Sequence, residues 1–175
     1  HVEAGARELT ALAVCALLLF ASQTALAAIP NVEIVSLLII LYTLYLGRKT
    51  LLVIVTFAVL EGLLYGFSLW WPMYLYVWPI LWLLVTLAGR RPRSPRFWAA
   101  VGGCFGLAYG FLCSPFYAAM SGVRTAVAWW VAGIPFDLIH GAGNFLLILC
   151  LFRPLDALFG KLKRWYLRGS GHPKT

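Results

Sequence analysis

Three stretches of the chain, residues 9–32, 62–89 and 97–123, contain no charged side chain. Each is longer than the roughly 20 residues a helix needs to cross about 30 Å of hydrocarbon. The runs are continuous, as in "ALAVCALLLF" (11–20), whereas the strands of a membrane barrel alternate apolar and polar positions. In hydrocarbon a helix satisfies its own backbone. The expected fold is therefore all-α, that of an integral membrane protein. Of the 175 residues, 62% are hydrophobic and 11% charged. At about 20 residues per span, this length supplies six helices with short connections and leaves no separate soluble domain.

The spacing predicts spans over 8–29, 32–46, 50–69, 73–88, 97–119 and 135–153, followed by a basic tail over 154–175. An even number of spans puts both termini on one side. Arg7, Arg48, Lys49, Arg90, Arg91, Arg93, Arg96, Arg153, Lys161, Lys163, Arg164, Arg168 and Lys174 all fall on that side, and only Arg124 on the other. Lys and Arg accumulate in cytoplasmic connections, so both termini are expected in the cytoplasm. The net charge of +8 then reflects membrane orientation and calls for no nucleic-acid partner. "ALAA" (25–28) resembles a secretory cleavage site, but the preceding apolar run is too long for a signal peptide. Cys15, Cys104, Cys113 and Cys150 show no CxxC or Cys/His ligand spacing; they read as small buried side chains rather than disulfides or a metal site.

Prolines punctuate the outer connections. "AIPNVE" (28–33) breaks the first hairpin at Pro30 and leaves only 34–47 uncharged before Arg48. At 1.5 Å per residue that covers roughly 21 Å, so the turn from Pro30 to Glu33 is expected at membrane depth. Irregular backbone survives there only against protein or a water-filled cavity. "LWWPMYLYVWP" (69–79) is a Pro-bounded aromatic corner, and Gly133 with Pro135 in "WWVAGIP" (129–135) is expected to stop the preceding helix.

Polar residues gather in the same outer half. An ionisable side chain in hydrocarbon is costly unless it faces protein or water, which makes it a functional candidate. Asn31 and Glu33 come from the sunken turn, Glu61 lies near mid-depth, and Tyr65 stands one turn further out. In "FDLIHGAGNF" (136–145), Asp137, His140 and Asn144 fall at about 0°, 300° and 340° around a helix, a single stripe. Trp71, Tyr74, Trp78 and Trp130 are candidate ring contacts, and Trp71 and Trp130 equally suit an interfacial belt. Asn31 and Glu33 either cap the second span or touch a ligand. Glu61 either joins helices through His140 or a Tyr hydroxyl or lines a cavity. Three carboxylates against one histidine favour a neutral or cationic heterocycle over an anion. HExxH and GxxxxGK[ST] patterns are both missing, so the residues indicate neither a metal nor a cofactor, and any ATP energy must come from another polypeptide.

Small residues repeat at four-residue spacing in Ala21 and Ala25, in Gly62 and Gly66, and in Gly102, Gly106 and Gly110, which permits close helix contact. "IPNVEIVSLLIILYTLYLGRK" (29–49), "LEGLLYGF" (60–67) and "GIPFDLIHGAGNF" (133–145), with the size and the basic inner connections, resemble the substrate-binding (S) components of energy-coupling factor (ECF) vitamin transporters. The resemblance implies a six-helix protein of the prokaryotic plasma membrane, with an outward pocket for a vitamin-like molecule. It also implies a scaffold membrane subunit and two cytoplasmic ATPases as partners, with Ala21 and Ala25 as the scaffold-docking ridge. Two other classes stay open: an intramembrane enzyme using Glu61, Asp137 and His140 as acid and base, and an autonomous proton-coupled carrier.

Overall fold

The computed structural model describes residues 2–27, 33–89 and 93–169, and all regular structure among them is helical. The helices are α1 (Val2–Leu26), α2 (Val35–Leu46), α3 (Thr50–Tyr65), α4 (Trp71–Ala88), α5 (Pro95–Leu107), α6 (Tyr109–Ser121) and α7 (Val123–Gly169), with a 3-10 turn at Gly47–Lys49. Four stretches of described residues, Gly5–Leu26, Val35–Tyr65, Trp71–Ala88 and Pro95–Ser121, are long and apolar enough to cross a membrane. Pro30 and Asn31 lie outside the described residues.

Val35–Tyr65 is not one rod. Gly47 has φ 62°, a conformation a residue without Cβ adopts readily, and the chain reverses there. Contacts fix the directions. Tyr42 of α2 donates to the Cys15 carbonyl of α1 at 3.2 Å, and Lys49 at the turn pairs with Glu8, so α1 and α2 are antiparallel. Trp82 of α4 donates to the Gly47 carbonyl at 3.0 Å. Towards the other end of α4, Trp71 donates to the Ala58 carbonyl of α3 at 2.7 Å. The pair α5–α6 runs antiparallel to α7, from Trp98 stacked on Phe152 to Tyr117 stacked on Trp129 at 4.2 Å. One end of the bundle thus gathers Arg48, Lys49, Arg93, Arg96 and Arg153, while Arg124 stands at the far end.

At the centre lies α2. Every residue from Val35 to Thr43 is buried, with α1, α3, α4, α5 and α7 packed around it. A helix that is apolar on all sides belongs inside. The other helices enclose it over its 12 residues, about 18 Å at 1.5 Å each.

Several expectations need correction. Pro135 does not stop a helix: α7 is continuous over 47 residues through Pro135 and Pro154. A proline removes one ladder hydrogen bond and crowds the preceding turn, but the close seam between α7 and α5–α6 holds the helix together on both sides of it. A Cβ on Gly106 would lie 2.8 Å from the His140 carbonyl oxygen. Beyond residue 154, where a basic tail was expected, α7 continues as far as Gly169. The first turns of this stretch pack on α2, with Phe159 edge-on to Tyr42 at 5.5 Å and the Tyr45 hydroxyl 2.8 Å from the Asp156 carboxylate. The fifth predicted span falls within Pro95–Ser121, one stretch long and apolar enough to cross a membrane, with a local turn at Ala108 between α5 and α6. Gly66, at φ 86°, ends α3 on the surface instead of packing between helices. Cys104 and Cys150 are exposed, and only Cys113 is buried.

Candidate functional site

Six segments deliver polar side chains to the half of the bundle remote from the Gly47 turn. Glu33 precedes α2, whose first turn carries no side-chain cap. Its carboxylate reaches across to α7 instead, with Oε1 3.0 Å from His140 Nε2. The His140 side chain is 4% exposed and that of Glu33 14%. Tyr109, at the start of α6, packs its ring against His140 with centroids 4.9 Å apart. From α4, Tyr74 lies within hydrogen-bonding reach of the Tyr109 hydroxyl and accepts a 2.7 Å bond from Gln23 of α1. Glu61 of α3 is 2% exposed, interacts electrostatically with Glu33 and Tyr74, and leaves Oε1 without a partner. Of the two alternatives for Glu61, the pairing with His140 is not seen among the described residues, where His140 Nε2 meets Glu33 instead.

The stripe on α7 faces inward along its whole length, with Asp137 8%, His140 4% and Asn144 1% exposed. Its members have different partners. Asp137 Oδ1 accepts from the Gly110 amide at 3.0 Å, directly after the Ala108 turn, while Oδ2 has no partner. Buried Cys113 lies beside this carboxyl. One turn deeper than His140, Asn144 donates to Ser36 Oγ at 3.0 Å and to the Gly102 carbonyl at 3.3 Å, fastening α7 to α2 and α5. A carbonyl only accepts, so this contact fixes the orientation of the amide.

The aromatic candidates divide. Tyr74 belongs to the cluster. Trp78 is fully enclosed among Phe57, Tyr74, Phe105 and Tyr109, with its Nε1 unpartnered. Trp71 locks α4 to α3 through Ala58. Tyr65 is 49% exposed at the end of α3, and Trp130 packs on Phe111, away from the carboxylates. Ala21 and Ala25 are both exposed on α1.

Tyr109 and Gln23 were not foreseen. Gln23, the one amide side chain in the run 9–30, carried a readable signal; Tyr109 did not, because its partners His140 and Trp78 lie on other helices.

Fold and site together define an all-helical protein, consistent with membrane insertion, that buries a carboxylate, histidine and tyrosine cluster in one half of its bundle. No protein-family model, curated protein or solved structure matches the chain.

Proposed function

We propose that the chain is the substrate-binding membrane subunit of an ECF-type importer, which captures a small vitamin-like heterocycle from outside the cell. On this reading the six antiparallel passes are membrane spans, the basic end is cytoplasmic, and the polar cluster opens outward. The observation that carries it is the convergence of Glu33, Glu61, Tyr74, Tyr109 and His140 in an apolar interior, in the half remote from the basic turn. Buried polar groups are costly unless they are satisfied, and a ligand satisfies those that the fold leaves open. The resemblance of 29–49, 60–67 and 133–145 to ECF S components supports the importer class. It supplies the scaffold subunit and two ATPases as partners, in a prokaryotic plasma membrane.

Two measurements test this. Native mass spectrometry after mild detergent extraction is expected to show a small molecule retained on the chain, and affinity purification from its own membranes is expected to bring down a scaffold subunit with ATPases. Uptake by the lone protein in vesicles, driven by a proton gradient, would replace the importer with an autonomous carrier, a reading to which the His140–Glu33 pair also lends itself. Chemical conversion of a retained molecule would replace it with an intramembrane enzyme.

A further inference from the structure

The electrostatics of the cluster specify the charge of what it holds, given the small-molecule reading above, on which this inference rests. Every described Lys and Arg side chain is exposed, so no buried ammonium or guanidinium among the described residues offsets the acids. His140 is the one basic group in the cluster, and a single Glu33 oxygen engages it at 3.0 Å. Glu61 has no such counterpart. It is 2% exposed, and its Oε1 accepts no hydrogen bond. Asp137 adds a third carboxyl beside His140, also with an open oxygen. An ionised carboxylate can only accept, so a positively charged N–H donor is the partner that would hold these buried carboxyls in their charged form.

A second feature gives the shape. Glu61 and Glu33 both interact with Tyr74, whose ring belongs to an aromatic wall with Phe57 stacked on it at 6.0 Å and Trp70 edge-on at 5.0 Å. Aromatic rings attract cations through their faces and favour flat partners. Among the described residues no three His, Cys, Asp or Glu side chains stand close enough together to hold a metal ion, and the aromatic wall suits an organic cation.

We infer that the Glu33–Glu61 carboxyl pair, backed by Tyr74, binds the positively charged, N–H-bearing end of a flat organic cation, of the amidinium or protonated amino-heterocycle class. Planar N–H donors match carboxylate oxygens in both charge and direction.

The test uses three isosteric probes on the full chain in nanodiscs: benzamidine, benzamide and benzoate. Binding is read by calorimetry and by thermal unfolding. Benzamidine is expected to bind and to raise the melting temperature, benzamide to bind more weakly, and benzoate not at all. Replacing the charge in Glu61→Gln is expected to weaken benzamidine by about ten- to a hundredfold, the range for a charged hydrogen bond, while leaving benzamide within about twofold. Glu33→Gln serves as the second variant should Glu61→Gln fail to fold, and a loss in either one supports the assignment. Benzoate binding as well as benzamidine, absence of benzamidine binding, or benzamidine binding unaltered in the folded variants would overturn it. The two readings fail separately. A molecule retained in native mass spectrometry with no preference for benzamidine removes only the cationic class; no retained molecule and no probe binding remove the small-molecule reading too.

Discussion

Asn144 and Glu61 are both buried polar residues, but the fold treats them differently. Asn144 spends its amide hydrogens on Ser36 and Gly102, so it joins three helices with only its Oδ1 left open, whereas Glu61, with Oε1 open, makes no such bridge among the described residues. Asn144→Ala removes both interhelical bonds and takes from the buried Ser36 hydroxyl the donor that its oxygen accepts from, at a cost of about 1–3 kcal/mol. The expected outcome is a clearly lower melting temperature in detergent; an unchanged one would mean that the bridge does not form. Glu61→Gln, by contrast, is expected to leave melting of the ligand-free chain close to wild type or raise it, because it removes a charge that nothing in the described structure compensates. A marked fall in melting temperature would show that Glu61 is structural after all. The stripe of Asp137, His140 and Asn144 was legible from helical spacing alone, because 3.6 residues per turn fixes which side chains share a face. Their partners were not, because pairing depends on which helices are neighbours. His140 went to Glu33 rather than to Glu61 for that reason.

At the scale of elements, the seam of α7 with α5–α6 rests on glycine. A Cβ at Gly106 meets backbone, 2.8 Å from the His140 carbonyl and 2.9 Å from the Gly141 Cα, so no side-chain rotation relieves it. Gly106→Ala is expected to destabilise by about 1–3 kcal/mol. Gly133→Ala is the matched control: nothing lies within 4 Å of its Cβ position, and alanine inside a helix is favoured by up to about 1 kcal/mol. Opposite signs in thermal melting are expected, and equal losses would show that the close approach is not what matters. On α1, Val14, Leu18, Ala21 and Ala25 form an exposed stripe, directed away from the polar cluster that Gln23 joins through Tyr74. If a scaffold subunit docks there, Ala25→Leu abolishes uptake by cells and leaves ligand binding by the isolated chain intact; equal loss of both would reject the docking role. The glycine seam was readable from the four-residue repeat of Gly102, Gly106 and Gly110. The continuity of α7 was not, since Pro135 is a local stop signal that contacts with α5 and α6 override.

Taken as a whole, the bundle separates its ends chemically. Arg48 and Lys49 flank the Gly47 reversal, and Arg93 and Arg96 flank the start of α5, all at one end, where the Glu8–Lys49 ion pair also lies. Ser68, in the α3–α4 connection, and Ser121, at the end of α6, stand at the other end, and both are exposed. If the chain is inserted with its basic end in the cytoplasm, single cysteines at Ser68 and Ser121 react with a membrane-impermeant maleimide on intact cells, and one at Ser94 reacts only after the membrane is opened. Native Cys104 and Cys150 are exposed on the isolated chain and Cys15 is half-buried, so the background must have these replaced; Cys113 is buried and Asp137 lies beside it, so it is best left in place and checked for silence. Ser94 also caps α5 by accepting from the Phe97 amide at 3.2 Å, and losing that cap costs about 1 kcal/mol, which calls for expression and melting to be compared before labelling. Ser94 labelled from outside with Ser68 protected would invert the molecule and turn the Glu33, Glu61 and His140 cluster toward the cytoplasm, where capture from outside is impossible. Labelling of all three from outside would remove the six-span arrangement itself, because the α3–α4 and α4–α5 connections lie at opposite ends of α4, an 18-residue helix, about 27 Å long at 1.5 Å per residue.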